Sequence, residues 1–168
     1  DLFDRSARQV IGKARTYDYD YLVVALGAVQ QYFGNEEWAE HAPSLKTIDD
    51  ALAIRARIER AVARAIAAPS DETRQAAATV VVVGAGPTGV ELAGTVRERM
   101  RAAFTARGDA EAERACRVVL LDAVDRVLPS YARLLSHQAA AQLRSLGVEI
   151  RTGERVTDIR REGVMLGD

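Results

Sequence analysis

One segment constrains this chain more than any other: TVVVVGAGPTGVELAG, residues 79–94, where a continuous β-branched run breaks into glycines and then into helical spacing. Gly84, Gly86 and Gly89 form G-x-G-x-x-G immediately after a predicted strand and at the start of a predicted helix, the context in which the pattern has a mechanism. Gly84 allows a sharp turn off the strand. Gly86 lets backbone approach a pyrophosphate with no Cβ in the way, and Gly89 lets helix and sheet pack closely. The free N–H groups of the helix start then face the anion, with Ala85, Pro87 and Thr88 completing the loop. Pro87 and Thr88 also suit an ordinary helix start, and Glu91, placed in the first helical turn, is favoured there by the helix dipole with or without a further role.

The pattern downstream extends this unit. Residues 79–83 are read as a central parallel strand buried on both faces. A helix is expected from Pro87 to about Arg107, a strand at Val118–Leu121, a helix from Tyr131 to Leu146 stopped by Gly147, and a strand at Val148–Arg151. Strand, helix, strand, helix, strand predicts an α/β fold: a Rossmann-like βαβαβ parallel sheet. After Arg155 the sequence reads as a strand, a Glu162-Gly163 turn and a second short strand, an appended β-meander. Asp122 closes the second strand, where a carboxylate accepts hydrogen bonds from adenosine ribose hydroxyls and repels a 2′-phosphate, which favours NADH over NADPH. The 33 positions from Gly89 to Asp122 exceed the roughly 20 usual for this motif, so a longer helix or an insertion lies between them. Arg126 is a candidate for a 2′-phosphate, although pairing with Asp122 or Asp125 on the surface is the simpler expectation.

Before the motif, Tyr17–Leu26 (YDYDYLVVAL) has the composition of a buried strand ending at Gly27. Thr47, with Asp50 three residues on, caps a helix expected to reach Ala67, whose Ile54, Ile58, Val62 and Ala65 form one apolar stripe. Residues 69–75 (PSDETRQ) read as a linker. Three regions follow: 1–30, a strand segment of one domain; 31–78, connecting loop, helix and linker; and 79–168, an incomplete nucleotide-binding domain. The absence of an initial methionine and the meander stopping at a turn suggest an excised piece, truncated at both ends, of a larger protein.

Composition narrows the function classes. Lys plus Arg number 23 and Asp plus Glu 24, interspersed, so there is no overall positive field to hold nucleic acid. No uncharged stretch reaches the roughly 20 residues of a membrane span. Cys116 is the one cysteine and His41 and His137 the two histidines, which gives neither an internal disulfide nor a zinc-ligand cluster, and points to a reducing, cytoplasmic compartment with metal-free chemistry. No nucleophilic triad or glycosidase-like carboxylate pair can be assembled with named partners.

Three segments together, YDYLVVALGA (19–28), YFGNEEWAEHAPSLKTIDDALAIRARI (32–58) and VVVGAGPTGVELAG (81–94), resemble type II NADH dehydrogenases, single-subunit flavoproteins that pass electrons from NADH to a membrane quinone. The likeness continues through DAVDRVLPS and LGVEIRTGERVTDIRREGVMLGD, similar to the nicotinamide-nucleotide domain of the pyridine nucleotide-disulfide oxidoreductases. The resemblance implies an FAD domain interrupted by an NADH domain. Gly27 and Ala28 would then lie where the chain passes the flavin, with Leu26 in place of the threonine found in many relatives. Gly84, Gly86 and Gly89 would hold the pyrophosphate and Asp122 the ribose, while Pro87, Thr88 and Glu91 would border the nicotinamide. It also implies a quinone acceptor, a peripheral position on the cytoplasmic face of the membrane through segments outside this sequence, and possible homo-oligomers. The alternatives are a soluble reductase of ferredoxin or rubredoxin type, not expected to carry YFGNEEW followed by LKTIDDALAIRARI, and a non-catalytic dinucleotide sensor.

Overall fold

The computed structural model describes residues 3–27 and 29–167. Three short antiparallel strands open the chain: β1 (Phe3–Asp4), β2 (Gln9–Ile11) and β3 (Thr16–Asp18), in the order β1-β2-β3. The expected strand over 17–26 is therefore confined to Tyr17 and Asp18. Beyond them the apolar run is uncovered, with Val23 86% and Leu26 81% exposed, because it has no partner strand among the described residues.

A 3-10 helix, Glu36–Glu40, carries the buried Trp38, and α1 (Ile48–Ile66) follows. The α1 capping box is present: the Asp50 N–H donates to the Thr47 hydroxyl and the Asp50 carboxylate accepts from the Thr47 N–H. That carboxyl sits below its ordinary value of 3.8, chiefly because the Lys46 and Thr47 N–H groups donate to it. Val62 and Ala65 bury in the main core, whereas Ile48 and Leu52 at the other end of the helix stay exposed. The expected linker is a helix, α2 (Asp71–Ala77). Ser70 and Thr73 form a second capping box there, and Arg74 pairs with Asp71 at 2.6 Å.

β4 (Thr79–Val83), β5 (Arg117–Asp122) and β6 (Val148–Thr152) make a parallel sheet in the order β4-β5-β6, with α3 (Pro87–Thr105) and α5 (Arg133–Leu146) in the crossovers. The extra length between Gly89 and Asp122 is the 19-residue α3 and an added short helix, α4 (Ala110–Ala115). β4 is not the central strand. Among the described residues it is paired only with β5, and Val81 and Val83 remain 36% and 48% exposed; β5 is central, with Val118–Leu121 buried.

One core cluster fills the α-helical side of this sheet. Val96, Met100 and Phe104 of α3 pack with Val82, Val118 and Leu120 from the strands, Leu143 of α5, and Val62 and Ala65 of α1. Burying a side chain such as Phe104 contributes roughly 1.5–3 kcal/mol. The antiparallel pair β7 (Val156–Arg160) and β8 (Gly163–Leu166) completes the fold, its turn made by Arg161 and Glu162 with Gly163 already in β8. Trp38 donates from its indole N–H to Asp158 on β7 at 3.2 Å. Among the described residues no helix is long and apolar enough to cross a membrane.

The register places the site. Val83 is level with Leu121, and Asp122 with Thr152, so all three parallel strands end at one edge of the sheet. In open α/β sheets ligands bind in the crevice beyond that edge.

Candidate dinucleotide site

The three glycines stand at that edge for three different physical reasons. Gly84 extends the β4 ladder by one bond, its N–H donating to the Leu121 carbonyl at 2.8 Å, and then turns the chain at φ +104°, a region L side chains rarely adopt. Gly89 is required by packing: a Cβ there would lie 1.8 Å from the Gly84 carbonyl oxygen. Gly86 is required by neither. Its backbone is extended (φ −72°, ψ −178°), open to any residue, and a Cβ would meet no protein atom within 4 Å.

Gly86 is the N-cap of α3, with no side-chain cap, and its carbonyl accepts from the Val90 N–H at 3.0 Å. Pro87 opens the helix and, like Thr88, lies exposed at its uncapped start. The first-turn N–H groups of any α-helix have no partner within the helix, and here they follow directly on Gly86, where a Cβ would meet no protein atom within 4 Å. Glu91 is exposed but falls beyond the first turn, because α3 starts at Pro87; the dipole argument for an acid there does not apply.

Asp122 is brought to the loop, through its backbone. Its Oδ2 accepts from the Ala85 N–H at 2.6 Å and its Oδ1 from the Val124 N–H at 2.9 Å. Ala85, wholly buried, is held from its other side too, its carbonyl accepting from the Leu128 N–H at 2.8 Å. Arg126 pairs with neither Asp122 nor Asp125. Its guanidinium donates to the carbonyls of Pro129 and Tyr131, which locks the loop after β5. The same loop is tied to α5, where the buried Ser136 hydroxyl donates to the Val127 carbonyl.

Sequence reasoning missed Leu128 and Ser136. Leu128 acts through its amide at φ +51°, which leaves no mark in residue type; a serine in an otherwise apolar helical face was the available signal for Ser136. Gly27 turns at φ +73° in an exposed stretch, and among the described residues no hydrogen bond links it to the glycine loop or Asp122. Ala28 lies outside the described residues. His137 lies on α5 and the His41 carbonyl accepts from Arg57, so neither histidine joins the site. Cys116 precedes β5, at the end of that strand away from Asp122. Burial is the main cause that pushes its thiol up, partly opposed by Arg97.

The arrangement can take an extended anionic ligand across the loop, with a sugar toward Asp122. The chain is 44% identical over 164 residues to the type II NADH:quinone oxidoreductase Ndh of Mycobacterium tuberculosis, a match covering 95% of this chain and 35% of that relative. Its fold matches the NDH2 of Plasmodium falciparum, solved in complex with NADH, at a TM-score of 0.74 and 24% identity, over 91% of this chain and 32% of that one. Putidaredoxin reductase, solved in covalent complex with putidaredoxin, matches at a TM-score of 0.54 and 27% identity, over 98% and 34%. The chain thus spans about a third of the length of these relatives. The pyridine nucleotide-disulphide oxidoreductase family model matches residues 2–168, and the chain belongs to that family.

Proposed function

We propose that this chain is the NADH-binding part of a flavin-dependent oxidoreductase of type II, which passes electrons from NADH through FAD to a membrane quinone. The observation that carries the reading is Gly86. Turn geometry explains Gly84 and packing explains Gly89; at 86, where neither applies and glycine is one of several residues suited to an N-cap, the bare backbone admits the close approach of a pyrophosphate. The 44% identity to a type II enzyme favours a quinone acceptor over the ferredoxin-type alternative.

The bound nicotinamide and flavin supply the hydride and electron transfer chemistry. The chain's own residues bind and orient. Gly84, Ala85, Gly86 and Gly89 shape the cradle, whose helix-start N–H groups take the pyrophosphate, and Asp122 takes the adenosine ribose with lone pairs not used by the backbone. Pro87, Thr88 and Glu91, beside the cradle on the first turns of α3, border the nicotinamide, and the turn at Gly27 belongs to the flavin side. Arg126 is engaged by carbonyls, so a 2′-phosphate next to Asp122 meets a carboxylate and no waiting guanidinium, which favours NADH over NADPH. Peripheral attachment to the cytoplasmic face of the membrane and homo-oligomers belong to the same reading of the longer protein.

Calorimetric titration of the chain with NADH and NADPH, with Asp122→Ala as control, tests it. NADH should bind more tightly than NADPH and the substitution should narrow the gap. Equal affinities unchanged by the substitution, or no binding of either, would overturn the nucleotide assignment. Spanning about a third of its relatives' length, the chain as given is expected to purify colourless and inactive with NADH and a quinone.

A further inference from the structure

We infer that Asp122 is a positioning residue for the phosphate cradle, acting on the glycine loop before any nucleotide arrives, in addition to its ribose contact. The inference rests on the dinucleotide reading for its effect on affinity, and on geometry alone for its effect on the loop. Both carboxylate oxygens accept backbone N–H groups on opposite sides: Ala85 at 2.6 Å, from the glycine loop, and Val124 at 2.9 Å, from the loop after β5. The first joins the middle of the glycine motif to the neighbouring strand across 37 residues of sequence. Charge-assisted bonds of this length are the strong ones.

The rest of the loop after β5 completes the grip. Leu128, at φ +51°, holds the Ala85 carbonyl through its own N–H, so that both peptide groups of Ala85 are fixed from outside the motif. A γ-branched residue in that region carries local strain that the surroundings must sustain. Arg126 on the Pro129 and Tyr131 carbonyls, and Ser136 on Val127, keep the loop in that shape. Gly86, next in the chain, thereby receives its direction from Asp122. A carboxylate offers about four lone-pair sites, and the two backbone bonds leave room for sugar hydroxyls.

Asparagine separates the two roles. It has one accepting oxygen, so whichever way its amide turns, one of the two N–H groups faces an NH2 and loses its bond. Two measurements follow. In the ligand-free chain, hydrogen exchange should show the Ala85 and Val124 amides protected, and Asp122→Asn should raise the exchange of whichever of the two faces the NH2 at least about tenfold while the β5 amides of Val119 and Leu120 keep theirs. An Ala85 amide that already exchanges freely in the unsubstituted chain, a measurement independent of how the variant folds, would overturn the inference. Affinity is then compared for NADH and for an NADH analogue lacking both hydroxyls of the adenosine ribose. A positioning role predicts that Asp122→Asn weakens both ligands, the analogue by about tenfold. If the substitution weakens NADH alone and leaves the analogue untouched, Asp122 acts only on the sugar and the inference fails. A chain that shows the exchange pattern yet binds no NADH would sink the dinucleotide reading and leave the brace standing.

Discussion

Alanine at Gly86 should leave the fold unchanged and remove most of the affinity for NADH. The substituted Cβ would meet no protein atom within 4 Å, and the backbone at φ −72°, ψ −178° is already one that alanine adopts. Two small effects on stability oppose each other. Losing glycine restricts the unfolded chain and stabilises by about 0.4–1 kcal/mol, while alanine is a poorer N-cap than glycine by a similar amount. The net should lie within about 0.5 kcal/mol, or roughly 2 °C in Tm for a chain of this size. Gly89→Ala is the contrast: its Cβ would fall 1.8 Å from the Gly84 carbonyl oxygen, so helix and strand must separate at a cost of about 3 kcal/mol or more, roughly 6–12 °C. Gly84→Ala, at φ +104°, should cost about 1–3 kcal/mol. For nucleotide, a methyl group in the place of the pyrophosphate should cost about 1–3 kcal/mol of binding, a loss of about 5- to 150-fold. Thermal melts and calorimetric titration on the three variants decide the matter. A folded Gly86→Ala chain that binds NADH like the unsubstituted one, or one that melts as early as Gly89→Ala, refutes the reasoning.

Three further outcomes follow from the same structure. Phe104→Ala empties the largest fully buried side-chain volume and should cost about 3–5 kcal/mol in urea denaturation. The Asp50 carboxyl is held low in the folded chain by the Lys46 and Thr47 N–H groups, so its contribution is present above the ordinary value of 3.8 and is lost as pH falls through the depressed folded value; Asp50→Asn should flatten that acid limb, and Thr47→Ala should cost about 1 kcal/mol at neutral pH. Cys116 is 6% exposed with its thiol pushed up by burial, so a thiol-specific disulfide reagent at mildly alkaline pH should label it slowly in the native chain and rapidly in urea.

The parts of the fold that were legible in the sequence are those whose cause is local. Thr47 and Asp50 announce the start of α1 because a capping box needs only residues three apart, and the glycine loop is readable because strand, turn and helix are adjacent in the chain. Burial is different. Continuous β-branched runs favour central strands only on average, and the four valines of residues 80–83 state that β4 is fit for cover on both faces, not which neighbour supplies it; Val81 and Val83 stay exposed with a partner on one side only. Tyr17–Leu26 fails for the same reason. Residues 71–77 escaped because a short polar helix lacks the apolar stripe that periodicity detects, although Ser70 and Thr73 were in place to cap it. Arg126 illustrates a third limit: its neighbours in sequence are acids, but the turn at Leu128 presents carbonyls to it first. The position of Asp122 was legible, and its two backbone bonds were not, since they depend on the parallel register that sets β5 beside β4.

The most direct test of the account is to follow the backbone amides of the isotopically labelled chain by NMR as NADH is added. The account predicts that the amides of Gly86, Thr88, Gly89 and Ala85 move together with saturation, accompanied by Val124 beside Asp122, while Arg117 at the opposite end of β5 stays in place. Saturating shifts that cluster away from the glycine loop, or none at all at millimolar NADH, would contradict it.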